Sequence, residues 1–158
     1  MKKEIPILLI TIIFFSCKKV KVPFVDCNQP TSEVNLCKQL IKKRWVWSYE
    51  IYFSRLNQTN IIKTPASEGY TKEIEFTNSG IVFIYKNSSL EREATYNVST
   101  FDKITGVIAD NTITVLIFYD KQTGQRFDFA PIKICSDTLT LNYQFYSDTK
   151  GQQKWEKK

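Results

Sequence analysis

The stretch Trp45-Val46-Trp47-Ser48-Tyr49-Glu50-Ile51-Tyr52-Phe53 decides the fold. Every odd position is large and apolar, and a period of two marks a strand with one face in a core. On this parity Trp45, Trp47, Tyr49, Ile51 and Phe53 point inward. The same period recurs downstream. Strands are predicted at about 71–76 and 81–86, joined by the hairpin signal Thr77-Asn78-Ser79-Gly80. Others follow at about 90–98 and 112–119, the latter with Ile113, Val115, Ile117 and Tyr119 on one side. Lys121-Gln122-Thr123-Gly124 turns the chain into a strand from 125, where Pro131 marks an edge or a bulge because proline has no N–H for a ladder. Residues 138–146 set Leu139, Leu141, Tyr143 and Phe145 against Thr138, Thr140, Asn142 and Gln144, and a last strand carries Trp155. Residues 54–70, with Pro65 and Gly69, read as a long loop.

About eight antiparallel strands linked in order by hairpins predict an all-β, up-and-down β-barrel, its interior filled or holding one small ligand. A β-sandwich is the alternative, and it requires Greek-key crossovers. Ahead of the strands, Val34, Cys37, Leu40 and Ile41 fall at helical spacing behind Thr31 and Ser32, predicting a short N-terminal helix at about 33–43 that plugs the end of the sheet.

Upstream of the helix the chain changes character. Lys2 and Lys3 precede an apolar run from Ile5 to Phe15, shorter than the roughly 17–25 residues of a membrane span and of the length of a secretory signal core. Ser16-Cys17 ends it and resembles the lipobox of bacterial lipoproteins. That resemblance implies a signal peptide over 1–16, lipidation (palmitate among the acyl groups) of Cys17, a tether over 17–32 and a domain over 33–158. Lys18 stands where inner-membrane retention uses aspartate, so it also implies a lipid-anchored place in the cell envelope, at the outer membrane.

The chain of 158 residues has a net charge of +6. Residues 17–44 hold seven Lys/Arg and two acids, whereas 45–158 hold thirteen of each sign. The excess therefore belongs to the tether and its junction with the domain, and Lys18, Lys19 and Lys21 can meet anionic headgroups at roughly 1 kcal/mol each. A nucleic-acid partner is not expected, since it would need a basic face on the folded part. The chain has no His, which excludes Ser-His-Asp and Cys-His catalysis and HExxH zinc chemistry. With Cys17 lipidated, Cys27, Cys37 and Cys135 allow one bridge and one spare thiol in three pairings, of which Cys37–Cys135 is favoured because it closes a long loop.

Past the tether, Trp45 with Trp47, Tyr70-Thr71-Lys72 leading to Glu75-Phe76 and Gly80, Asp137-Thr138-Leu139-Thr140-Leu141, and Trp155-Glu156-Lys157 resemble the lipocalin-like domains of small bacterial lipoproteins. The resemblance covers most of 36–157 and implies a barrel and a ligand cavity, with no activity attached. No catalytic residue, metal ligand or cofactor is expected. Parity places Glu73, Glu75, Glu91 and Glu93 on the solvent face. Lys72 and Arg92 share parity with inward apolar residues, where they would ring a mouth. The expected ligand-binding set is Trp45, Trp47, Tyr49, Phe76, Arg92, Tyr96 and Tyr143. Two functions follow: a barrel holding a small hydrophobic or amphipathic ligand, or a structural lipoprotein contacting another envelope protein through loops 54–70 and 99–111. An internal volume of roughly 300 Å³ or more would favour the first.

Overall fold

The computed structural model describes residues 24–54, 57–102, 112–143 and 151–158. The signal peptide, Cys17 and its flanking lysines lie outside the described residues, as do 103–111 of the second loop and Phe145. The chain enters through helix α1 (Val34–Leu40) and strand β1 (Arg44–Ser54). Strand β2 (Thr59–Lys63) and the helical turn α2 (Pro65–Glu68) follow, then β3 (Lys72–Phe76), β4 (Ile81–Lys86) and β5 (Ser89–Asp102). Strands β6 (Thr112–Asp120), β7 (Arg126–Ile134), β8 (Thr138–Asn142) and β9 (Gln152–Lys157) complete it. From β3 to β9 each strand pairs antiparallel with the next, and β1 joins both β3 and β9. The eight strands so linked form a closed barrel, and β2 is a ninth strand hairpinned onto the far end of β1. Closure removes the unpaired edges that an open eight-stranded sheet would expose.

One end of the barrel is stoppered by α1, which packs against β5 and β7. The Glu33 carboxylate accepts from the N–H groups of Asn35 and Leu36, so it caps the helix in place of the expected Thr31 and Ser32. The Trp45 indole N–H donates to the Ile41 carbonyl at 2.9 Å, bonding the helix end to the first strand. Cys37, Leu40 and Ile41 are fully buried with Trp45, Val82, Leu116, Ile134 and Leu139. Each such side chain contributes about 1.5–3 kcal/mol on leaving water.

Several expectations are corrected by pairing that periodicity does not reveal. Trp47 faces Trp155 across the β1–β9 seam, but the next pair is Tyr49 with Lys154, so Ser48 is a bulge. One extra residue reverses the parity behind it. Glu50 turns inward, Tyr49 lies outside beneath the Lys154 ammonium, and Phe53 is exposed. In β6, apolar residues stand on both faces: Leu116 and Phe118 join the barrel core, and Val115 of the odd-numbered set is fully buried apart from that cluster. The supposed loop 54–70 contains β2 and α2. Pro131 pairs with Val115 at a position the β7–β8 ladder, which begins at Ile132, does not reach.

Two further corrections concern charge and sulfur. Glu73 is buried instead of solvated, because Arg44 Nε at 2.6 Å and Lys158 Nζ at 2.8 Å close over its carboxylate. The disulfide is Cys27–Cys135, not Cys37–Cys135. Cys37 is the spare thiol, set in the helix core, where burial and then the Glu33 charge push its pKa up to about 12. The bridge has company in the segment read as tether. Thr31 and Ile134 exchange backbone hydrogen bonds, and the Ser136 hydroxyl accepts from the Val25 N–H at 2.8 Å. From Val25 onward this segment is fastened to the barrel.

Candidate functional site

At the end opposite α1 the described residues line a cavity. Between the Trp47–Trp155 pair and the rim lies a cavity of about 200 Å³. Its floor is Ile74, Phe118, Leu141 and Trp155, and its walls carry Ile84, Phe127 and Tyr143. The aromatics form a continuous stack from the core to the rim. Tyr96 meets Phe76 edge-on at 4.9 Å, Phe76 touches Phe118, and Phe118 touches Phe127 at 6.1 Å. Arg92 lays its guanidinium 4.5 Å over Phe127, so the stack ends in a cation at the mouth. Opposite it, the Lys72 ammonium lies 5.1 Å from the Trp47 ring and 5.2 Å from the Tyr70 ring, and Tyr70 stacks on Trp47.

The polar groups around the cavity divide into satisfied and unsatisfied sets. Glu50, brought inside by the Ser48 bulge, accepts from the Gly151 N–H at 2.7 Å and from Gln153 Nε2 at 3.2 Å. Asp128 accepts from the Phe129 N–H and from the Tyr143 hydroxyl. Burial pushes the Tyr143 phenol well above its usual range, and the Asp128 and Glu50 charges act in the same direction, so Tyr143 is a neutral donor. By contrast, the indole N–H groups of Trp47 and Trp155 are buried with no acceptor. A buried donor without a partner costs about 1–3 kcal/mol, and such groups in a native structure call for a water or a ligand.

Of the sequence-predicted ligand-binding residues, Tyr143 lines this cavity, Trp47 borders it through Lys72, and Arg92 caps its rim. Trp45, Phe76 and Tyr96 belong instead to the packed floor: Trp45 is consumed by Ile41, and the Tyr96 hydroxyl donates to the Thr77 carbonyl at 2.8 Å. Tyr49 is excluded by the bulge. Trp155, Phe118, Phe127 and Gln153 complete the site without having been singled out for it. For Trp155 a signal existed, its place on the same period of two as Gln153, whereas Phe118 was hidden by the two-sided apolarity of β6.

A second hollow, of about 360 Å³, lies on the outer face of β6–β9 between Pro131, Lys133, Thr140 and Gln152. Among the described residues its wall has no buried unpaired donor. Among the described residues no group of His, Cys, Asp and Glu is placed to hold a metal ion, and no helix is long and apolar enough to cross a membrane. No protein-family model matches the chain, and neither a curated protein nor a solved structure does.

Proposed function

We propose that this chain is a non-catalytic, lipid-anchored lipoprotein of the bacterial cell envelope whose lipocalin-like barrel binds one small ligand in its open mouth. The observation that carries the reading is the buried Trp155 indole donor, left without an acceptor in the wall of an aromatic-lined cavity, with a second unpaired indole donor, Trp47, facing it across the seam. The cavity falls short of the roughly 300 Å³ expected of a ligand barrel, so the reading rests on the unpaired donor and not on volume, and the size narrows the occupant. At about 200 Å³ the cavity is smaller than the roughly 300 Å³ at which pockets for drug-sized molecules begin, so a long-chain lipophile is not the occupant. The anchor rests on the lipobox-like Ser16-Cys17 and its basic flank.

Native mass spectrometry of the full chain extracted from bacterial membranes tests both parts. The expected spectrum shows the mass of a chain beginning at Cys17 and carrying acyl groups, with a second series heavier by one small molecule. An unacylated mass overturns the anchor. A ligand-free mass with no thermal shift from any small-molecule probe overturns the binding reading. That outcome would leave the interaction lipoprotein, for which Phe53 and Ile62 stand exposed on the β1–β2 ribbon.

A further inference from the structure

Resting on the proposed binding site, we infer that its ligand class is a single-ring aromatic carboxylate. Size comes first. A cavity of roughly 150 Å³ lined by apolar side chains accommodates one benzene ring. The mouth cavity, at about 200 Å³, leaves room for one ring and one small substituent. Its walls suit a ring, since Phe118, Trp155 and Tyr143 present aromatic surface to it.

The substituent follows from the hydrogen-bonding balance. The inward acids are already served: Glu50 by Gly151 and Gln153, Asp128 by Phe129 and Tyr143. Glu91 stands exposed at the rim, where water solvates it. The remaining capacity is all donor. Trp47 and Trp155, 1% and 4% exposed, have no acceptor for their N–H groups. Lys72 has aromatic rings as its contacts and no carboxylate within 4.0 Å among the described residues. A ligand with an acceptor satisfies the Trp155 indole, which lines the cavity, and the ammonium of Lys72 selects an acceptor that carries negative charge. A ligand amine would meet Asp128 and Glu91, but it would put a third cation beside Lys72 and Arg92 and leave the Trp155 indole unpaired.

Isothermal titration calorimetry of the full chain with benzoate, benzamide, benzylamine and octanoate tests this. Benzoate is expected to bind about tenfold tighter than benzamide, the gap between a charge-assisted and a neutral hydrogen bond. Octanoate shares the carboxylate but not the ring, and is expected to bind more weakly than benzoate; benzylamine is expected to be weakest. Lys72→Met, a rim change that leaves the core untouched, should reduce benzoate affinity about tenfold and spare benzamide. Trp155→Phe should weaken both. If that variant fails to fold, the Lys72→Met comparison decides alone. Benzamide or benzylamine binding as tightly as benzoate overturns the carboxylate while leaving a small-ligand barrel, and a benzoate preference that survives Lys72→Met overturns Lys72 as the group that selects it. Octanoate matching benzoate overturns the ring. No heat from any of the four probes overturns both this inference and the binding site beneath it.

Discussion

Replacing Cys27 with Ser opens a covalent loop whose ends lie 108 residues apart. The bridge joins the segment ahead of α1 to the turn between β7 and β8, so it spans nearly the whole barrel. In the chain-entropy account a loop of this length restricts the unfolded state by about 4.7 kcal/mol at 25 °C. The native contacts around it do not replace that restriction. Thr31 and Ile134 still exchange two backbone bonds, and Val25 still bonds Ser136. Each such bond nets only about 0.5–1.5 kcal/mol and acts in the folded state. We expect Cys27→Ser to lose about 3–5 kcal/mol, read by guanidinium denaturation under non-reducing conditions. In a thermal melt, at about 3–5 °C per kcal/mol for a domain of this size, the midpoint should fall by about 15 °C. Cys37→Ala is the control, with an expected cost of about 1 kcal/mol for trimming a buried thiol. A Cys27→Ser protein within 1 kcal/mol of the parent would refute the reasoning. So would a Cys37→Ala loss as large as that of Cys27→Ser, because it would make Cys37 the partner of Cys135.

Two further predictions concern the seams of the barrel. The Lys158 hydrogen bond, opposed by burial and reinforced by Arg44, holds the Glu73 carboxyl below its usual range. A lowered folded-state pKa adds stability above the unfolded value near 4.5, and this stability is lost as pH falls through the folded value. Denaturation curves from pH 7 to pH 3 should therefore show a decline below about pH 4.5. Glu73→Gln should remove this part of the decline and cost about 1–2 kcal/mol at neutral pH, the partly exposed cations being screened by water; parallel pH profiles would contradict the pairing. Gly151 lies against β1 so closely that an added Cβ falls onto the Ile51 carbonyl and 2.7 Å from Tyr52 Cβ. Gly151→Ala should force the β1–β9 seam apart, costing about 1–3 kcal/mol or more, visible as faster amide exchange along β9 than in the parent.

Much of this protein was written in its local pattern. Alternation between apolar and polar residues, with turns such as Thr77–Gly80, determined antiparallel strands in hairpin order, and helical spacing of Val34, Cys37 and Ile41 determined the plug. These signals are local, so no tertiary information is needed to read them. Tertiary structure alone decided where the period breaks. Ser48 becomes a bulge only because Trp47 and Tyr49 must meet Trp155 and Lys154 on a strand more than a hundred residues away. That single slip expels Tyr49 and brings Glu50 to Gly151 and Gln153 at the mouth. Glu73 obeys its parity and faces outward, yet Arg44 and the chain's last residue cover it. The three cysteines of the described residues permit three pairings, and the docking of Thr31 on Ile134 is what sets Cys27 beside Cys135. The candidate site has the same origin. Trp47 and Trp155 are each ordinary core residues in their own strands, and closure of the barrel is what sets them opposite one another, with Lys72 over the Trp47 ring and the unpaired Trp155 donor in the cavity wall.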